Sequence, residues 1–200
     1  MTDFEKMKSE KVYFADTPEL LALQEKQFEI LYDFNQARPS EHAKKDALLK
    51  KFFAEIGSDC YLEAPLHANW GLNTHIGKHV YANFNLTLVD DNDIYIGDNC
   101  MFGPNVVVAG AGHPIEPNLR LQGAQFNIPV HIGNNVWIGA NVVILPGVTI
   151  GENSVIGAGS IVTNDIPANV VAYGNPCRVA RKIGEHDKTY YFKHRKMEVL

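Results

Sequence analysis

The chain has few cysteines and no long apolar run. Cys60, Cys100 and Cys177 are the only three cysteines among 200 residues. Because they are odd in number and widely spaced, they fit neither a disulfide framework nor a zinc motif, and we interpret them as reduced thiols packed like small hydrophobes. No stretch of about 18 apolar residues occurs, and the first residues contain no apolar secretion segment. We therefore expect a cytoplasmic protein without a membrane span.

Positive charge is also scarce. Lys and Arg number 18 against 23 Asp and Glu, which gives a formal net charge of -5. The basic residues form no stripe, so we expect no nucleic-acid partner, although a small anion can still be held locally. With 46% hydrophobic residues the chain has enough apolar surface for a sizeable core. We predict a single domain over residues 1–200.

What the chain does have is a six-residue repeat. In the second half, aliphatic residues recur at every sixth position and end with a step of four: Ile132, Ile138, Ile144, Ile150, Ile156, Val162 and Ile166. The repeat also occurs upstream, with a slip of two residues between Ile94 and Ile96: Ile76, Ala82, Leu88, Ile94, Ile96, Phe102 and Val108. A short fixed period of this kind is typical of a parallel β-helix, in which each unit supplies a strand and a turn.

Three hexapeptides make one triangular coil, so the spacing predicts which residues stack. We expect Ile132, Ile150 and the region of Ala168 at one corner of the prism, with Ile138 and Ile156 at another. We assign residues 58–171 to the β-helix. Within it, a segment rich in Gly and Pro at about 109–129 breaks the repeat, and we predict an extruded loop that carries His113.

The segments on either side of the β-helix differ from it. Residues 1–57 predict a two-helix cap, because Asp16 to Glu19 has the pattern of a helix start and Pro39 to Glu41 begins a second helix that Gly57 would stop. A solenoid needs such a cap to cover its open core and unpaired strand edges. Residues 172–200 form a charged and aromatic tail, which we expect to pack along the outside or on a neighbour.

Four blocks occur in order: YANFNLT at 81–87, GHP at 112–114, IGNNVWIG at 132–139 and GNPCRV at 174–179. Together they resemble the sugar O-acetyltransferases of the galactoside, maltose and nodulation-factor group. The tail DKTYYFK at 187–193 looks most like the galactoside branch. The resemblance covers nearly the whole chain. It implies a left-handed β-helix, acetyl transfer from acetyl-CoA to a sugar hydroxyl, and a homotrimer with active sites between subunits.

Transferring an acetyl group to an alcohol needs a base, since the hydroxyl is almost fully protonated at neutral pH. A neutral histidine suits this role. His113 is the best candidate, because it lies beside a proline and two glycines on the loop, and the resemblance assigns it this function. The resemblance also gives Asn83 a role in stabilising the transition state and contacting the sugar.

Further acceptor contacts implied by the resemblance are Asp16, Asn69, Asp91 and Gln125. Carboxylates and amides suit this task because they bind both the donors and the acceptors of sugar hydroxyls. Two alternatives stay open: Asp16 caps the first helix, and Asp91 shapes a polar turn. Asn69 replaces a serine of the galactoside branch, and Gln125 replaces its methionine. We therefore leave galactosides, glucosides and maltose open as acceptors.

Contacts to acetyl-CoA are implied for residues of the later coils and the tail: Trp137, Ala140, Ala158, Thr163, Asn164, Arg178 and Arg181. Trp137 would flank the pantetheine arm, and the backbone N–H of Ala140 would stabilise the oxyanion that forms on the thioester carbonyl. Arg178 and Arg181 suit the phosphates, because a planar guanidinium donates two parallel hydrogen bonds. Asn164 replaces a lysine that is common in the family.

Three other functions are weighed against this one. A metalloenzyme like the γ-class carbonic anhydrases would use His75, His79, His113 and His131, but these lack a matching spacing, and we predict no metal site. A noncatalytic scaffold or carbohydrate-binding module would not need His113 together with Asn83. A nucleotide-sugar acyltransferase of the same fold would differ only in its acceptor.

Overall fold

The computed structural model describes residues 1–14 and 17–198 of the chain. Its body is a parallel β-helix in which short strands follow one another around three flat faces. Face A contains Glu55–Ile56, Thr74–Ile76, Ile94–Ile96, Val130–Ile132 and Thr149–Ile150. Face B contains Tyr61–Leu62, Tyr81–Ala82, Met101–Phe102, Trp137–Ile138, Val155–Ile156 and Val170–Tyr173, followed by the antiparallel strand Arg178–Lys182. Face C contains His67–Ala68, Thr87–Val89, Val107–Ala109, Val143–Ile144 and Ile161–Val162. The predicted fold class is confirmed.

The repeat residues fill the interior of the prism. Ile132 pairs with Ile150, and Ile138 pairs with Ile156, as the spacing predicts. Two details of the prediction are wrong. The stacked residues belong to the flat faces and not to the corners, which are formed by turns, and Ile150 is followed in its column by Ile166 and not by the region of Ala168. The reason is the four-residue step after Val162, which shortens the last coil.

The slip of two residues recurs in each early coil. Thr74–Ile76 pairs in register with Ile94–Ile96, which in turn pairs with Val130–Ile132. The early coils are therefore longer than the later ones, and the extra residues widen the corner between faces C and A. We call this corner the loop edge. It contains residues 69–73, 90–93 and the extruded loop.

The other corners are sharp turns built from left-handed residues. Asn tolerates positive φ better than most side chains because its short amide bonds locally. Asn85, Asn105 and Asn141 have φ near 60°. Their amides also bond to one another between coils, at 2.9 and 3.1 Å.

The two-helix cap is present, with helices α2 (Pro18–Gln36) and α3 (His42–Phe52) preceded by a short α1 (Asp3–Met7). Phe34 and Phe52 are buried and belong to the same core cluster as the first coils. The prediction that Gly57 ends the second helix is wrong. The backbone is already extended at Phe53, and Glu55–Ile56 pairs with the next coil on face A.

The extruded segment has its own structure. Ala111–Gly112 pairs antiparallel with Ala124–Asn127, and the short helix α4 (Pro117–Leu121) lies between them. Tyr13–Phe14 joins as a third strand. In the tail, helix α5 (Glu185–Thr189) precedes a hairpin of Tyr190–Phe192 and Arg195–Lys196. None of the helices described here is long and apolar enough to cross a membrane.

Candidate active site

Three side chains line up across the small antiparallel sheet of the loop. Tyr13 is the register partner of Gln125, and Gly112 is the partner of Phe126. Continuing the second register by one residue places His113 opposite Gln125. Residues directly opposite one another in antiparallel strands point to the same side of the sheet. The predicted base His113 and the predicted acceptor contact Gln125 are therefore neighbours.

The geometry defines the tautomer of neutral His113. Its Nδ1 lies 2.9 Å from the carbonyl oxygen of Ala124. A carbonyl only accepts hydrogen bonds, so Nδ1 carries the proton and Nε2 has a free lone pair. The ring is solvent-exposed at the tip of the sheet. This arrangement orients the imidazole and leaves Nε2 able to accept a proton.

Asn69 and Asp91 meet at the loop edge. The Asn69 amide donates to Asp91 Oδ2 at 2.7 Å, and the Trp70 indole N–H donates to Asp91 Oδ1 at 3.3 Å. Each carboxylate oxygen has a second lone pair, so Asp91 remains able to accept from a ligand. Its part in holding this corner together also agrees with the alternative that Asp91 shapes a polar turn.

A second carboxyl group, Asp90, lies beneath this pair. It is fully buried and accepts hydrogen bonds from the Trp70 backbone N–H at 2.8 Å and the Thr74 hydroxyl at 3.0 Å. Burial raises the pKa of Asp90 from 3.8 to about 7, against the opposing effect of these hydrogen bonds. Asp90 thus fixes the backbone that carries Asn69 and Trp70.

The corner between faces B and C carries the predicted residues Asn83, Ala140 and Ala158, and we call it the amide edge. Gly103 lies at the same corner, against Ala140. Asn83 donates its backbone N–H to Phe102 at 3.0 Å and accepts the Phe84 N–H on its side chain at 2.8 Å. A Cβ at Gly103 would come within 2.6 Å of the Ala140 nitrogen, so the absence of a side chain there permits this stacking.

The backbone amide of Ala140 is available for a ligand. No acceptor within residues 1–14 and 17–198 takes a hydrogen bond from it. A fixed N–H beside small residues is the arrangement that an oxyanion site requires. Trp137, on the neighbouring strand of face B, is 52% exposed, which suits contact with an extended apolar arm.

Arg178 lies near the amide edge, because its register partner Tyr173 packs against Gly157, the residue before Ala158. The other predicted cofactor residues lie farther from that edge. Thr163 and Asn164 are at the loop edge of the last coil, where their side chains bond to each other at 2.8 Å. Arg178 donates to the Cys177 carbonyl at 2.8 Å. Arg181 makes two hydrogen bonds of 2.7 Å to Asp187, so its guanidinium fork is already engaged by a carboxylate.

Within one chain, the loop edge and the amide edge are different corners of the prism. The structure brings His113 and Gln125 together on the loop, with Asn69 and Asp91 on the same edge. It does not bring His113 to Asn83 or Ala140. Asp16 lies outside the described residues, and Thr17, not Asp16, is the N-cap of α2.

The histidines of the metalloenzyme alternative do not converge within the chain. His75 and His131 stack on opposite sides of the Tyr95 ring, at centroid distances of 4.7 and 4.8 Å. This intervening ring prevents them from sharing one ion. In the described part of the chain, no cluster of three or more His, Cys, Asp or Glu side chains is placed to hold a metal ion.

Four functional candidates were missed by the sequence analysis: Tyr13, Trp70, Asp90 and Asn127. Each acts through a polar contact to a residue distant in sequence, as when Tyr13 bonds Gln125 over 112 positions. The strand that contains Tyr13 has only two residues, so it shows no periodicity from which the sequence could predict it. The only signal available was the run of acidic and amide residues at 90–93, which includes Asp90.

Comparison with known proteins agrees with this architecture. Residues 6–57 match the maltose acetyltransferase hexapeptide capping motif, residues 94–118 the hexapeptide repeat of succinyl-transferase, and residues 129–164 the bacterial transferase hexapeptide (six repeats). The fold and these three matched segments define a hexapeptide-repeat transferase.

The proteins similar in sequence and structure include O-acetyltransferases. Galactoside O-acetyltransferase of Escherichia coli (strain K12) is 55% identical over 169 residues, which cover 84% of this chain and 83% of that protein. The enzyme of the same name from Lactococcus lactis subsp. lactis (strain IL1403) is 50% identical over 192 residues, or 95% and 93% of the two chains. A solved structure of galactoside acetyltransferase in complex with coenzyme A superposes with a TM-score of 0.96 at 49% identity, over 100% of both chains. This chain belongs to the hexapeptide-repeat O-acetyltransferase family.

Proposed function

We propose that the protein transfers the acetyl group of acetyl-CoA to a hydroxyl of a galactoside, glucoside or maltose-like sugar, with His113 as the general base. The observation that carries this proposal is the orientation of His113, whose Nδ1–H is held by the Ala124 carbonyl while Nε2 faces outward. The names of the relatives support acetyl transfer and the acceptor class, and the solved structure that contains coenzyme A supports the donor.

The chemistry proceeds by direct attack. His113 Nε2 takes the proton of the sugar hydroxyl as its oxygen attacks the thioester carbonyl. Negative charge then develops on the carbonyl oxygen, where the free N–H of Ala140 stabilises it. When the C–S bond breaks, the imidazolium returns the proton to the sulfur. The base is neutral before and after the reaction, and an acetyl ester and a free thiol are formed.

The acceptor would be held at the loop edge. Asn69, Asp91 and Gln125 supply amide and carboxylate groups that fix the sugar hydroxyls, and Asn83 contacts the sugar from the amide edge. Holding one hydroxyl beside Nε2 converts an encounter in solution into a step within the complex. Trp137, Ala158, Thr163, Asn164, Arg178 and Arg181 would hold the acetyl-CoA.

We infer that the active sites lie between the subunits of a homotrimer. His113 and the amide edge occupy different corners of one prism, so a single chain does not assemble the site. A neighbouring chain whose amide edge faces the loop would complete it, and three-fold symmetry would generate three equal sites.

The experiment that tests this function follows thiol release from acetyl-CoA with galactosides, glucosides and maltose, using wild type and His113→Ala in parallel. We expect release that depends on the sugar and falls about 100- to 10,000-fold in the variant. His42→Ala, on the exposed start of α3, is the matched control and should keep wild-type activity. Absence of release with every sugar would reject the acceptor class, and full activity of His113→Ala would reject the base.

A further inference from the structure

The orientation of the Gln125 amide is set by a chain of hydrogen bonds that begins at the N-terminal segment. Asn127 is fully buried, and its Nδ2 donates to the Met7 carbonyl at 2.9 Å and to the Tyr13 hydroxyl oxygen at 2.8 Å. The Met7 carbonyl only accepts, so the nitrogen of Asn127 must face it. The two hydrogens of that nitrogen are directed to these two acceptors, since the third oxygen in reach, the Asp91 carbonyl, is 3.5 Å away.

The direction of the next bond follows. Because the Tyr13 oxygen accepts from Asn127, its own hydrogen points to Gln125 Oε1, 2.9 Å away. Tyr13 is buried, and desolvation raises the pKa of its phenol to about 12, so the hydroxyl remains a donor at working pH. Gln125 therefore turns its oxygen toward Tyr13 and its nitrogen away.

The Gln125 nitrogen is left with two free hydrogens next to the predicted base. No acceptor in residues 1–14 and 17–198 receives a hydrogen bond from Nε2. Tyr13, Gln125 and His113 occupy one row of the sheet, which runs from the buried Tyr13 to the exposed His113. These N–H groups are thus placed on the side where His113 would meet the acceptor.

We propose that Tyr13 is a positioning residue that fixes the Gln125 amide so that its N–H groups select an acceptor with an oxygen able to accept a hydrogen bond at that point. This rests on the proposed acetyl transfer to a sugar. Without the Tyr13 hydroxyl the amide is free to turn over, because the terminal torsion of glutamine has a broad, two-fold preference. In one of the two amide orientations the acceptor then faces Gln125 Oε1 in place of the N–H groups.

The first test is Tyr13→Phe, which removes one oxygen and leaves the ring. We expect KM for the sugar to rise about three- to tenfold, with a smaller change in kcat and no change in KM for acetyl-CoA. Tyr32→Phe, on the exposed face of α2, is the matched control and should change none of these values. Thermal unfolding of each variant verifies that the fold is kept.

A double-mutant cycle separates positioning from general loosening. Gln125→Met removes the amide at similar volume and should raise KM for the sugar on its own. In that background Tyr13→Phe should add nothing, because its effect passes through the amide. The ratio of kcat/KM for a galactoside and the glucoside that differs at one hydroxyl gives a second readout. We expect that ratio to shift in Tyr13→Phe, whereas loosening of the fold would lower both values in proportion.

The outcomes are distinct. Wild type that acetylates neither sugar overturns the proposed function and this inference with it. Active wild type with an unchanged sugar KM and ratio in Tyr13→Phe, or with additive effects in the cycle, overturns only this inference. If Tyr13→Phe does not fold, Gln125→Glu replaces it, since that carboxylate still accepts from Tyr13 but has no N–H. An unchanged ratio in Gln125→Glu would also reject the assignment.

Discussion

The fully buried Asp90 carboxyl group accepts the backbone N–H of Trp70 across 2.8 Å at the loop edge of the β-helix. Through this bond Asp90 positions Trp70, whose indole N–H donates to Asp91. The same carboxyl accepts the Thr74 hydroxyl at 3.0 Å. One buried group therefore links two successive coils at the edge where the acceptor is expected.

The titration of Asp90 should make stability depend on pH. Desolvation raises its pKa in the folded protein from 3.8 to about 7, so between these values the folded chain binds more protons than the unfolded chain. The free energy of unfolding must then fall as pH rises through this range and level off above it. Urea unfolding at about pH 5 and pH 8 measures the decline.

Asp90→Asn should reduce that decline, because the amide does not titrate. Asp46→Asn, on the exposed side of α3, serves as the control and should retain the wild-type dependence. An equal decline in wild type and Asp90→Asn would show that another group is responsible.

Asn69 and Asp91 should behave as a coupled pair in acceptor binding. Asn69→Ala or Asp91→Ala alone breaks the 2.7 Å bond between them and should raise KM for the sugar several-fold. In the double variant the loss of binding free energy for the sugar should be smaller than the sum of the two single losses, since the bond between the residues is lost only once. Steady-state kinetics with acetyl-CoA held at saturation tests this. Strictly additive losses would mean that the two residues act independently.

Asp187 should compete with acetyl-CoA for Arg181. The guanidinium makes two bonds of 2.7 Å to this carboxylate, which hold the pKa of Asp187 well below its usual range. Asp187→Asn weakens the pair, so we expect a lower KM for acetyl-CoA, whereas Arg181→Ala should raise it several-fold. Because the pair is exposed, stability should change little.

The salt dependence of KM gives the confirming measurement for this pair. Contact with phosphate implies a KM for acetyl-CoA that rises with ionic strength, and Arg181→Ala should flatten that rise. If Asp187→Asn still alters the KM in the Arg181→Ala background, the competition model fails.

Sites between subunits predict complementation. His113→Ala lacks the proposed base on the loop edge, and Asn83→Ala lacks the proposed sugar contact on the amide edge. When the two inactive variants are unfolded together and reassembled, each mixed trimer should contain one intact site, which gives about a quarter of wild-type activity from an equal mixture. Mixing without reassembly is the control. No recovery in verified mixed trimers would place both residues in the same subunit's site.

Much of the fold follows from local spacing. Ile132 pairs with Ile150 because a hexad repeat brings the chain back to the same face after three units. The deviations have local causes as well: the four-residue step after Val162 moves Ile166, not Ala168, under Ile150. The predicted end of α3 is wrong because Gly57 belongs to a turn in the first coil and not to the helix end. The extended backbone at Phe53 has no helix-ending residue type, such as Gly or Pro, to indicate it.

For the candidate site, the sequence predicted candidate residues but not how they are oriented or placed relative to one another. The blocks around Asn83, His113 and Trp137 were recognised by resemblance, but which nitrogen of His113 is free depends on the Ala124 carbonyl, in another strand. The separation of His113 from the amide edge likewise required the arrangement of the three faces.

The sequence by itself determined the β-helix, its cap and the loop, because a period of six constrains each coil through its immediate neighbours. Only the tertiary structure decided how the polar groups are oriented. Tyr13 meets Gln125 across 112 positions, and Asn127 meets Met7 across 120. Such bonds form when the completed coils fix both partners, and their direction depends on which atoms are already engaged, which no spacing along the chain encodes.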